Sequence, residues 1–370
     1  MPKTAILDSL EEIKQIDKSN MLSFCVDAPK HYSEAARLAE TIHISYPKPN
    51  SIIVAGMGGS AIGGELLKDW ARDKLAVPIE VCREYSLPEY ANKSTLVFVV
   101  SYSGETEESL SVFLDAVKRG CMSVCISSGG TLQEFAEKLG IPHLHVPSGM
   151  APRATLPYLF LPLCILMEKI GLIKDAKPEI SETISVLKQI SGSNASTIPL
   201  NDNFSKKLAL NIRGTVPVVY GFGIYRAVAQ RLKQQFNENS KVPAKWEFFP
   251  ELNHNEIVGW ERAEKLAKCF SVLFIRDNDE SEAMRQRIET TKELISKELL
   301  KVFEIRGQGR RSLAKMLSTV VLGDFVSVYL AVLRGVDPTP VKTIAFLKER
   351  MKQVGVKEKV VRELQKIVRR

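Results

Sequence analysis

Short apolar stretches alternate with segments of helical composition between residues 51 and 146. The apolar stretches, which have the length of buried strands, lie at 51–56, 78–82, 95–101, 121–127 and 143–146. The helical segments between them lie at 61–73, 105–119 and 131–139. Strands that alternate with helices in this way are typical of a parallel sheet with helices on both faces. The pattern therefore predicts an α/β fold for the first half of the chain.

The same pattern returns after a turn-rich segment at Gly192–Asn203. Strands are predicted at 216–223, 245–249, 268–275 and 301–305, and helices at 224–236 and 281–299. Helical composition dominates three further segments, at 5–45, 150–190 and 311–350. The first of these is expected to hold two helices. The chain is thus predicted to form two α/β domains with helical N- and C-terminal segments, divided into residues 1–195 and 196–370.

Neither the start of the chain nor its apolar segments predict a secreted or membrane protein. The first 22 residues are rich in Asp, Glu and Lys, unlike a secretory signal. The longest apolar stretch, Leu156–Met167, is too short to span a bilayer and contains two prolines. Two apolar segments near Val320 and Val328 are separated by Gly323-Asp324 and predict core helix. We therefore expect a cytoplasmic protein with no membrane partner.

The net charge of +8 is concentrated at the C-terminal end of the chain. Residues 341–370 contain ten Lys and Arg but three Glu, in a pattern of two helices separated at Gly355. A basic helical face is typical of a solvated surface or of an arm on a partner subunit, so we expect no nucleic-acid partner. The six cysteines lack a Cys-x-x-Cys spacing and stand mostly among apolar residues, which predicts buried, reduced thiols.

A glycine-rich loop follows the first predicted strand, with the sequence Gly-Met-Gly-Gly-Ser-Ala-Ile-Gly-Gly-Glu at 56–65. A second loop, Ser-Tyr-Ser-Gly-Glu-Thr at 101–106, follows the third predicted strand. Glycines between a strand and a helix let backbone N–H groups approach an anion, and the helix N-terminus adds positive potential. Five residues of the two loops are candidates to hold a phosphate monoester: Gly59, Ser60, Ser101, Ser103 and Thr106.

Two better-known phosphate motifs fit these loops poorly. The Gly-x-x-x-x-Gly-Lys-Ser/Thr sequence of nucleoside triphosphate loops is absent. Residues 56–61 match the dinucleotide pattern Gly-x-Gly-x-x-Ala, and Glu80 stands near the position of its acidic ribose ligand. A dinucleotide site, however, has no need of the hydroxyl-rich loop at 101–106.

Six short motifs occur in order between about residues 50 and 345: Gly56–Glu65, Ser101–Thr106, Pro152-Arg153, Asn237–Asn239, Asn253–Glu256 and Lys342. Together they resemble the bifunctional phosphoglucose/phosphomannose isomerases, enzymes built from two sugar-isomerase (SIS) domains. The resemblance implies two SIS-type domains and a sugar 6-phosphate substrate. It also implies interconversion of glucose 6-phosphate, mannose 6-phosphate or both with fructose 6-phosphate. Glucose and mannose 6-phosphates differ only at C2, which becomes planar in the enediol, but activity on both epimers rests on the resemblance alone.

This reaction needs ring opening by an acid and a base, a base that carries a proton between C1 and C2, and a cation facing the enediolate. The resemblance assigns the proton shuttle to Glu238, with Glu251 and Glu256 as rival bases. Those two rivals are alternatives from the nearby sequence, and the resemblance assigns ring opening to His254 together with Lys342. His254 would come from the neighbouring subunit of a homodimer. Arg153 would face the enediolate oxygens, since its guanidinium is permanently charged.

No metal site is evident from the sequence. His143 and His145 share a strand face without a third ligand nearby, and the chain has five histidines in all. Metal-dependent isomerases need a His/Glu cluster that these scattered residues do not supply. The sequence therefore predicts an enzyme without metal or cofactor.

Two other functions remain open at this point. One is a SIS-domain sensor that binds a sugar phosphate without turning it over, which would lack the set formed by Glu238, His254 and Lys342. The other is a different SIS isomerase, specific for glucose 6-phosphate or for an amino-sugar phosphate. A panel of substrates separates these alternatives.

Overall fold

The computed structural model describes residues 5–297 and 301–369. The chain forms two compact units. The five-stranded unit comprises His31–Lys177 and Val341–Arg370, and the four-stranded unit comprises Met1–Lys30 and Pro178–Pro340, within the described residues. Each unit is named for its parallel sheet.

The α-helices of the described residues are α1 (Leu10–Ile16), α2 (Met21–Val26), α3 (Ala28–Thr41), α4 (Gly59–Ala71), α5 (Glu107–Lys118), α6 (Gly130–Lys138), α7 (Leu156–Lys169), α8 (Ala176–Asn194), α9 (Phe204–Ile212), α10 (Arg226–Glu238), α11 (Glu264–Ala267), α12 (Glu282–Ser296), α13 (Ser312–Leu333), α14 (Lys342–Lys352) and α15 (Val356–Val368). The strands are β1 (Ser51–Ala55), β2 (Ile79–Cys82), β3 (Thr95–Val100), β4 (Met122–Ser127), β5 (His143–His145), β6 (Val216–Phe222), β7 (Lys245–Phe249), β8 (Phe270–Arg276) and β9 (Val302–Arg306). The predicted α/β pattern is confirmed in both halves of the chain.

The sheet of the five-stranded unit has the order β2-β1-β3-β4-β5, with every neighbouring pair parallel. Strands β3 and β4 are buried along their whole length, as expected for the centre of a sheet covered on both faces. Because β1 and β3 are neighbours, the loops that follow them leave the same edge of the sheet.

The four-stranded unit repeats this arrangement with the order β7-β6-β8-β9. Strands β6 and β8 occupy the positions that β1 and β3 occupy in the other sheet. The recurrence predicted from the strand–glycine–helix pattern after residue 203 is therefore confirmed.

Helix α13 is the core helix of the four-stranded unit. Its 22 residues are long and apolar enough to cross a membrane, but 94% of its most apolar window is buried inside the protein. It runs without a break through Gly323, where an added Cβ would lie 2.5 Å from Cγ of Leu232 on α10. The prediction of core helix is confirmed. Gly323, which in the sequence only separated two apolar segments, allows α13 to pack closely against α10.

The N- and C-terminal segments of the chain do not fall into units as the predicted boundary at residue 195 divides them. Helix α14 ends before Gly355, which has a φ of +72°, and the two predicted C-terminal helices are confirmed. Helix α15 packs against α5 and α6 of the five-stranded unit and buries Val360 and Leu364. The residues up to Lys30 belong with the four-stranded unit. The order of the elements along the chain did not indicate that the N-terminal residues belong with the four-stranded unit and α15 with the five-stranded unit. These placements depend on which surface each helix covers.

Two smaller expectations are wrong. The segment 5–45 holds three helices rather than two, because Asp17 ends α1 and its carboxylate accepts the N–H groups of Met21 and Leu22 at 2.7 and 2.8 Å. The six cysteines are free thiols, but Cys269 is exposed and Cys121 is half-buried. Both of these residues lie directly before a strand rather than inside a sheet.

Candidate active site

The first loop joins β1 to α4. Helix α4 begins at Gly59, and its N-cap residue is Gly58, which has no side chain that could cap it. Gly58 precedes it with a φ of +52°, a conformation that favours glycine. The loop thus exposes a helix N-terminus, with its positive potential, at the carboxyl edge of the sheet.

The second loop joins β3 to α5 and carries the hydroxyl groups of Ser101, Ser103 and Thr106. Ser101 donates to Oγ1 of Thr106 at 3.0 Å, and Oγ of Ser103 accepts the N–H of Glu105 at 3.2 Å. Thr106 stands at the N-cap of α5 without a side-chain capping bond. Oγ of Ser60 in the first loop accepts the N–H of Tyr102 at 3.4 Å. The structure therefore brings the residues predicted to hold phosphate together at one edge of the sheet.

A third loop, Ser127–Thr131, supports the second and was missed by sequence reasoning. Oγ of Ser128 donates to the carbonyl of Tyr102 at 2.7 Å. A Cβ at Gly104, whose φ is +68°, would lie 1.9 Å from the carbonyl oxygen of Gly129. Only glycine fits at Gly104. The signal that could have found this loop is the Ser-Ser-Gly-Gly run that begins at the last residue of a predicted strand.

Arg153 lies at the first loop. It belongs to a 3₁₀ turn, Pro152–Ala154, and is 2% exposed. A Cβ on Gly59 would lie 3.1 Å from the carbonyl oxygen of Pro152 and 3.6 Å from Cα of Arg153. The small size of Gly59 lets the backbone of Arg153 come this close, so the predicted cationic residue lies on a segment that contacts the first loop.

Glu238 is the last residue of α10 and is half-buried. Nζ of Lys241 donates to the carbonyl oxygen of Glu238 and, at 2.9 Å, to that of Pro338. Asn239 donates to Oγ of Ser327 on α13 at 2.9 Å. The C-terminal end of α10 is thus held in place by contacts of the Glu238 carbonyl and of Asn239. A carboxylate at a helix C-terminus is unfavourable with the helix dipole by about 0.3–1 kcal/mol.

The rival bases are engaged elsewhere. Glu256 accepts hydrogen bonds from the hydroxyl of Tyr220 at 3.1 Å and from Lys245 at 3.2 Å. Glu251 is exposed and accepts from Asn255 at 2.7 Å. These contacts are those of structural and surface carboxylates.

His254 is exposed at the end of a 3₁₀ turn, Glu251–His254, that follows β7. Helix α10 returns from the carboxyl end of β6 to the amino end of β7, since these strands are neighbours and parallel. Glu238 therefore lies at the amino edge of this sheet and His254 beyond its carboxyl edge. The 13 residues of α10 span about 20 Å. One copy of this unit does not bring the two side chains to a single hexose.

Lys342 is the first residue of α14 and is exposed. An ammonium group at a helix N-terminus is unfavourable with the dipole, as the carboxylate of Glu238 is at a C-terminus. Lys342 follows Pro338, which is held at the end of α10, by four residues. Residues that break a local rule are typical of functional positions.

Histidines and acidic residues form no candidate metal site in the part of the chain that the structure describes. His143 shares a hydrogen bond of 2.8 Å with Ser127, the first residue of the third loop. Burial and the neighbouring His145 lower the pKa of His143 to about 4, so its ring is neutral at pH 7. The hydrogen bond between His143 and Ser127 is therefore a structural contact of the third loop.

Comparisons with known proteins place the chain in a family. The sequence model described as bacterial phospho-glucose isomerase C-terminal SIS domain matches residues 201–351. A bifunctional phosphoglucose/phosphomannose isomerase of Caldicellulosiruptor bescii is 39% identical over 337 residues, which are 90% of this chain and 99% of the relative. This chain belongs to the bifunctional phosphoglucose/phosphomannose isomerase family.

A second member of that family, from Aquifex aeolicus, is 36% identical over 82% of this chain and 90% of its own length. A hypothetical protein of Thermus thermophilus, known from its crystal structure, is similar with a TM-score of 0.72, and the match covers 90% of both chains. Its sequence is 17% identical, so this likeness shows the fold alone. The resemblance found in the sequence and the predicted fold class are both confirmed.

The four-stranded unit of this isomerase-family member has no hydroxyl-rich loop after β8, the counterpart of β3. A buried acid–base cluster stands there instead. Arg276 binds both carboxylate oxygens of Glu280 at 2.7 and 2.8 Å. Asp277 accepts from Tyr225 at 2.7 Å and from Lys315 at 2.8 Å. The chain's own carboxylates therefore occupy the position of the loop that the first sheet offers to an anion.

Hydrogen bonds determine the charge states of the two carboxyl groups, Asp277 and Glu280, in this cluster. Burial acts to raise the pKa of Asp277, but the bonds from Lys315, the Asp279 N–H and Tyr225 outweigh it, and the pKa is lowered. Burial likewise opposes ionisation of Glu280, but its bonds from Arg276 lower the pKa. Both carboxylates are ionised at neutral pH. These carboxylates already engage Arg276 and Lys315, the cations of this cluster that could otherwise face a phosphate dianion.

Proposed function

We propose that this protein interconverts glucose 6-phosphate and mannose 6-phosphate with fructose 6-phosphate through a cis-enediol. The chain's membership of its family makes it an aldose–ketose isomerase of sugar phosphates. The observation that carries the proposal is the pair of loops after neighbouring strands, which present helix N-termini and hydroxyls to one anion. We assign the 6-phosphate to these loops, held by Gly59, Ser60, Ser101, Ser103 and Thr106.

The proton chemistry is proposed for four side chains. His254 and Lys342 open the ring, one giving a proton to the ring oxygen while the other takes the proton of the C1 hydroxyl. Glu238 then removes the proton from C2 of the aldose and returns it to C1, while the proton of the C2 hydroxyl moves to the C1 oxygen, which yields the ketose. Arg153 stabilises the negative charge on the enediolate oxygen. Each positioned proton-transfer group contributes about 10²–10⁴-fold to such reactions.

A homodimer is part of the proposal, with His254 donated to the partner's site. Glu238 and His254 lie toward opposite edges of their sheet, so they serve different substrates within one chain. His254 is exposed, and the segment that follows it exposes Val258 and Leu266 by 57% and 63%. Exposed apolar side chains in the segment after the proposed catalytic histidine support a partner surface there.

We further propose that the enzyme works in the cytoplasm without a metal or cofactor, and that it binds neither nucleic acid nor membrane. The reaction moves a proton within one substrate and requires no external electron acceptor. The side chains assigned above supply each acid, base and cation that it needs. The sensor alternative would leave the unfavourable helix-end positions of Glu238 and Lys342 without a purpose.

A coupled assay tests this function. Protein treated with EDTA should form fructose 6-phosphate from glucose 6-phosphate and, separately, from mannose 6-phosphate. Activity on glucose 6-phosphate alone would show a glucose-specific enzyme. Silence on both, with activity on glucosamine 6-phosphate, would show an amino-sugar isomerase, and binding without turnover of any of them would show a sensor.

The double variant Ser103→Ala/Thr106→Ala should raise KM for both sugar phosphates by about 10- to 100-fold, because two hydrogen bonds to a charged group are lost. The value of kcat should change little, since these hydroxyls hold a phosphate that takes no part in the proton transfer. Steady-state kinetics checks this. Ser111→Ala, on the same helix α5, is a control because its hydroxyl donates to the backbone carbonyl of Glu107 at 2.8 Å. An unchanged KM in the double variant would place the phosphate elsewhere.

A further inference from the structure

A carboxylate stands inside the second loop, where the proposed function places a phosphate dianion. Glu105 lies between Ser103 and Thr106, two of the assigned phosphate ligands. Its Oε1 accepts the N–H of Thr131 at 2.9 Å, and its Oε2 accepts the Thr131 hydroxyl at 3.0 Å. These bonds tie the second loop to the third. They also fix the orientation of the Glu105 carboxylate.

Lys357 of helix α15 forms an ion pair with the same Oε2. Burial acts to raise the pKa of Glu105, but the contacts with Lys357 and with both groups of Thr131 outweigh it, so the pKa is lowered. Glu105 is therefore ionised at neutral pH. Its charge would oppose a phosphate in the same loop unless a cation compensates it.

The position of Lys357 is set by the packing of its helix. Val360 and Leu364 on the same helix are 7% and 0% exposed and belong to the core around α5 and α6. Lys118 of α5 and Glu363 of α15 approach to 3.6 Å on the same interface. Because α5 and α6 begin at the second and third loops, α15 is fixed to the two helices whose N-termini form them.

We infer that Lys357 is a positioning residue for phosphate binding, through which the basic C-terminal helix forms part of the phosphate-binding apparatus. Lys357 holds the Glu105 carboxylate on Thr131 and compensates its charge, which keeps the second loop in shape and receptive to a dianion. This inference rests on the proposed function, since it takes the loops to hold the substrate's phosphate. It gives a purpose to a basic segment for which the sequence indicated only a solvated face or a partner arm.

The variant Lys357→Met should raise KM for glucose 6-phosphate by about three- to tenfold, the range for one partly exposed charge near a dianion. The value of kcat should stay within about twofold, because the chemistry lies at other residues. Lys357→Arg should restore KM. The increase in KM should shrink with added salt, which screens exposed charges.

Lys359→Met is the matched control. It removes the same charge from the same helix, and Lys359 is exposed. It should leave KM unchanged. Equal KM values for Lys357→Met and Lys359→Met would overturn the inference, as would a fall in kcat at an unchanged KM.

A double-mutant cycle with Glu105→Gln tests the route of the effect. If Lys357 acts through Glu105, then Lys357→Met should have no further effect on KM in the Glu105→Gln protein. An undiminished effect in that background would show that Lys357 acts on the substrate directly, and would overturn the positioning role. Thermal unfolding of each variant shows whether it is folded.

Failure of the inference and failure of the proposed function give different results. An inactive wild-type protein would reject the function. The inference is then tested with inorganic phosphate, whose half-saturating concentration in thermal stabilisation should rise about three- to tenfold for Lys357→Met but not for Lys359→Met. No difference between the two variants in that measurement would overturn it.

Discussion

Replacing Glu238 by glutamine is expected to lower kcat for both glucose 6-phosphate and mannose 6-phosphate by about 10²–10⁴-fold. An amide is nearly the same size as the carboxylate but cannot take the proton from C2, so the chemical step is lost while the site keeps its shape. Binding of fructose 6-phosphate, measured by calorimetry, should stay within about threefold because the phosphate loops are untouched. Exchange of the C2 hydrogen with solvent deuterium should fall in parallel with kcat.

Glu251→Gln and Glu256→Gln are the matched controls for this experiment. Both remove a carboxylate from the same unit, and the structure shows those carboxylates engaged with Asn255 and with Tyr220 and Lys245. Neither variant should lose hydrogen exchange at C2. Full activity of Glu238→Gln together with loss of exchange in one of the controls would move the base to that residue.

Replacing Arg276 by methionine is expected to destabilise the four-stranded unit by about 3–5 kcal/mol. Arg276 is 5% exposed, and it also binds Glu289 and Glu304 at 2.6 and 2.8 Å. Its removal leaves the carboxylate of Glu280, which is 6% exposed, without its main cation. Calorimetry should show a fall in Tm of roughly 10 °C for the transition of this unit.

Arg285→Met is the control for that prediction. Arg285 pairs with Glu282 at 3.3 Å, but the two side chains are 51% and 82% exposed. Exposed pairs of this kind contribute about 0–1 kcal/mol, so Tm should move by no more than about 4 °C. If the two variants shift Tm equally, the cluster after β8 does not stabilise the unit in the way its geometry indicates.

Much of the architecture could be predicted from the sequence, and for local reasons. Strands β1 and β3 are short apolar stretches, and the helices that follow them begin at Gly59 and directly after Thr106. These features depend on residues a few positions apart, which is why the predicted bounds of both elements agree with the structure to within two residues. The two loops could be assigned to one edge of the sheet because parallel strands end at the same side.

Other features could not be predicted, because they depend on contacts between distant residues. The support of Gly104 by Gly129 is one, since nothing near Gly104 in the sequence indicates which loop packs on it. The position of Arg153 beside Gly59 is another, for which the sequence offered only a resemblance. The ion pair of Lys357 with Glu105 joins residues more than two hundred positions apart.

By itself, then, the sequence determined the two α/β halves, the loops that suit a phosphate and the family resemblance, because each is written in short, local patterns of residue type. Only the tertiary structure decided that Glu238 and His254 lie at opposite edges of one sheet, that acidic residues fill the loop position after β8, and that α15 packs beside the second loop. These outcomes depend on strand order and on which helix face is buried, and the free energy that selects them comes from packing across the whole unit.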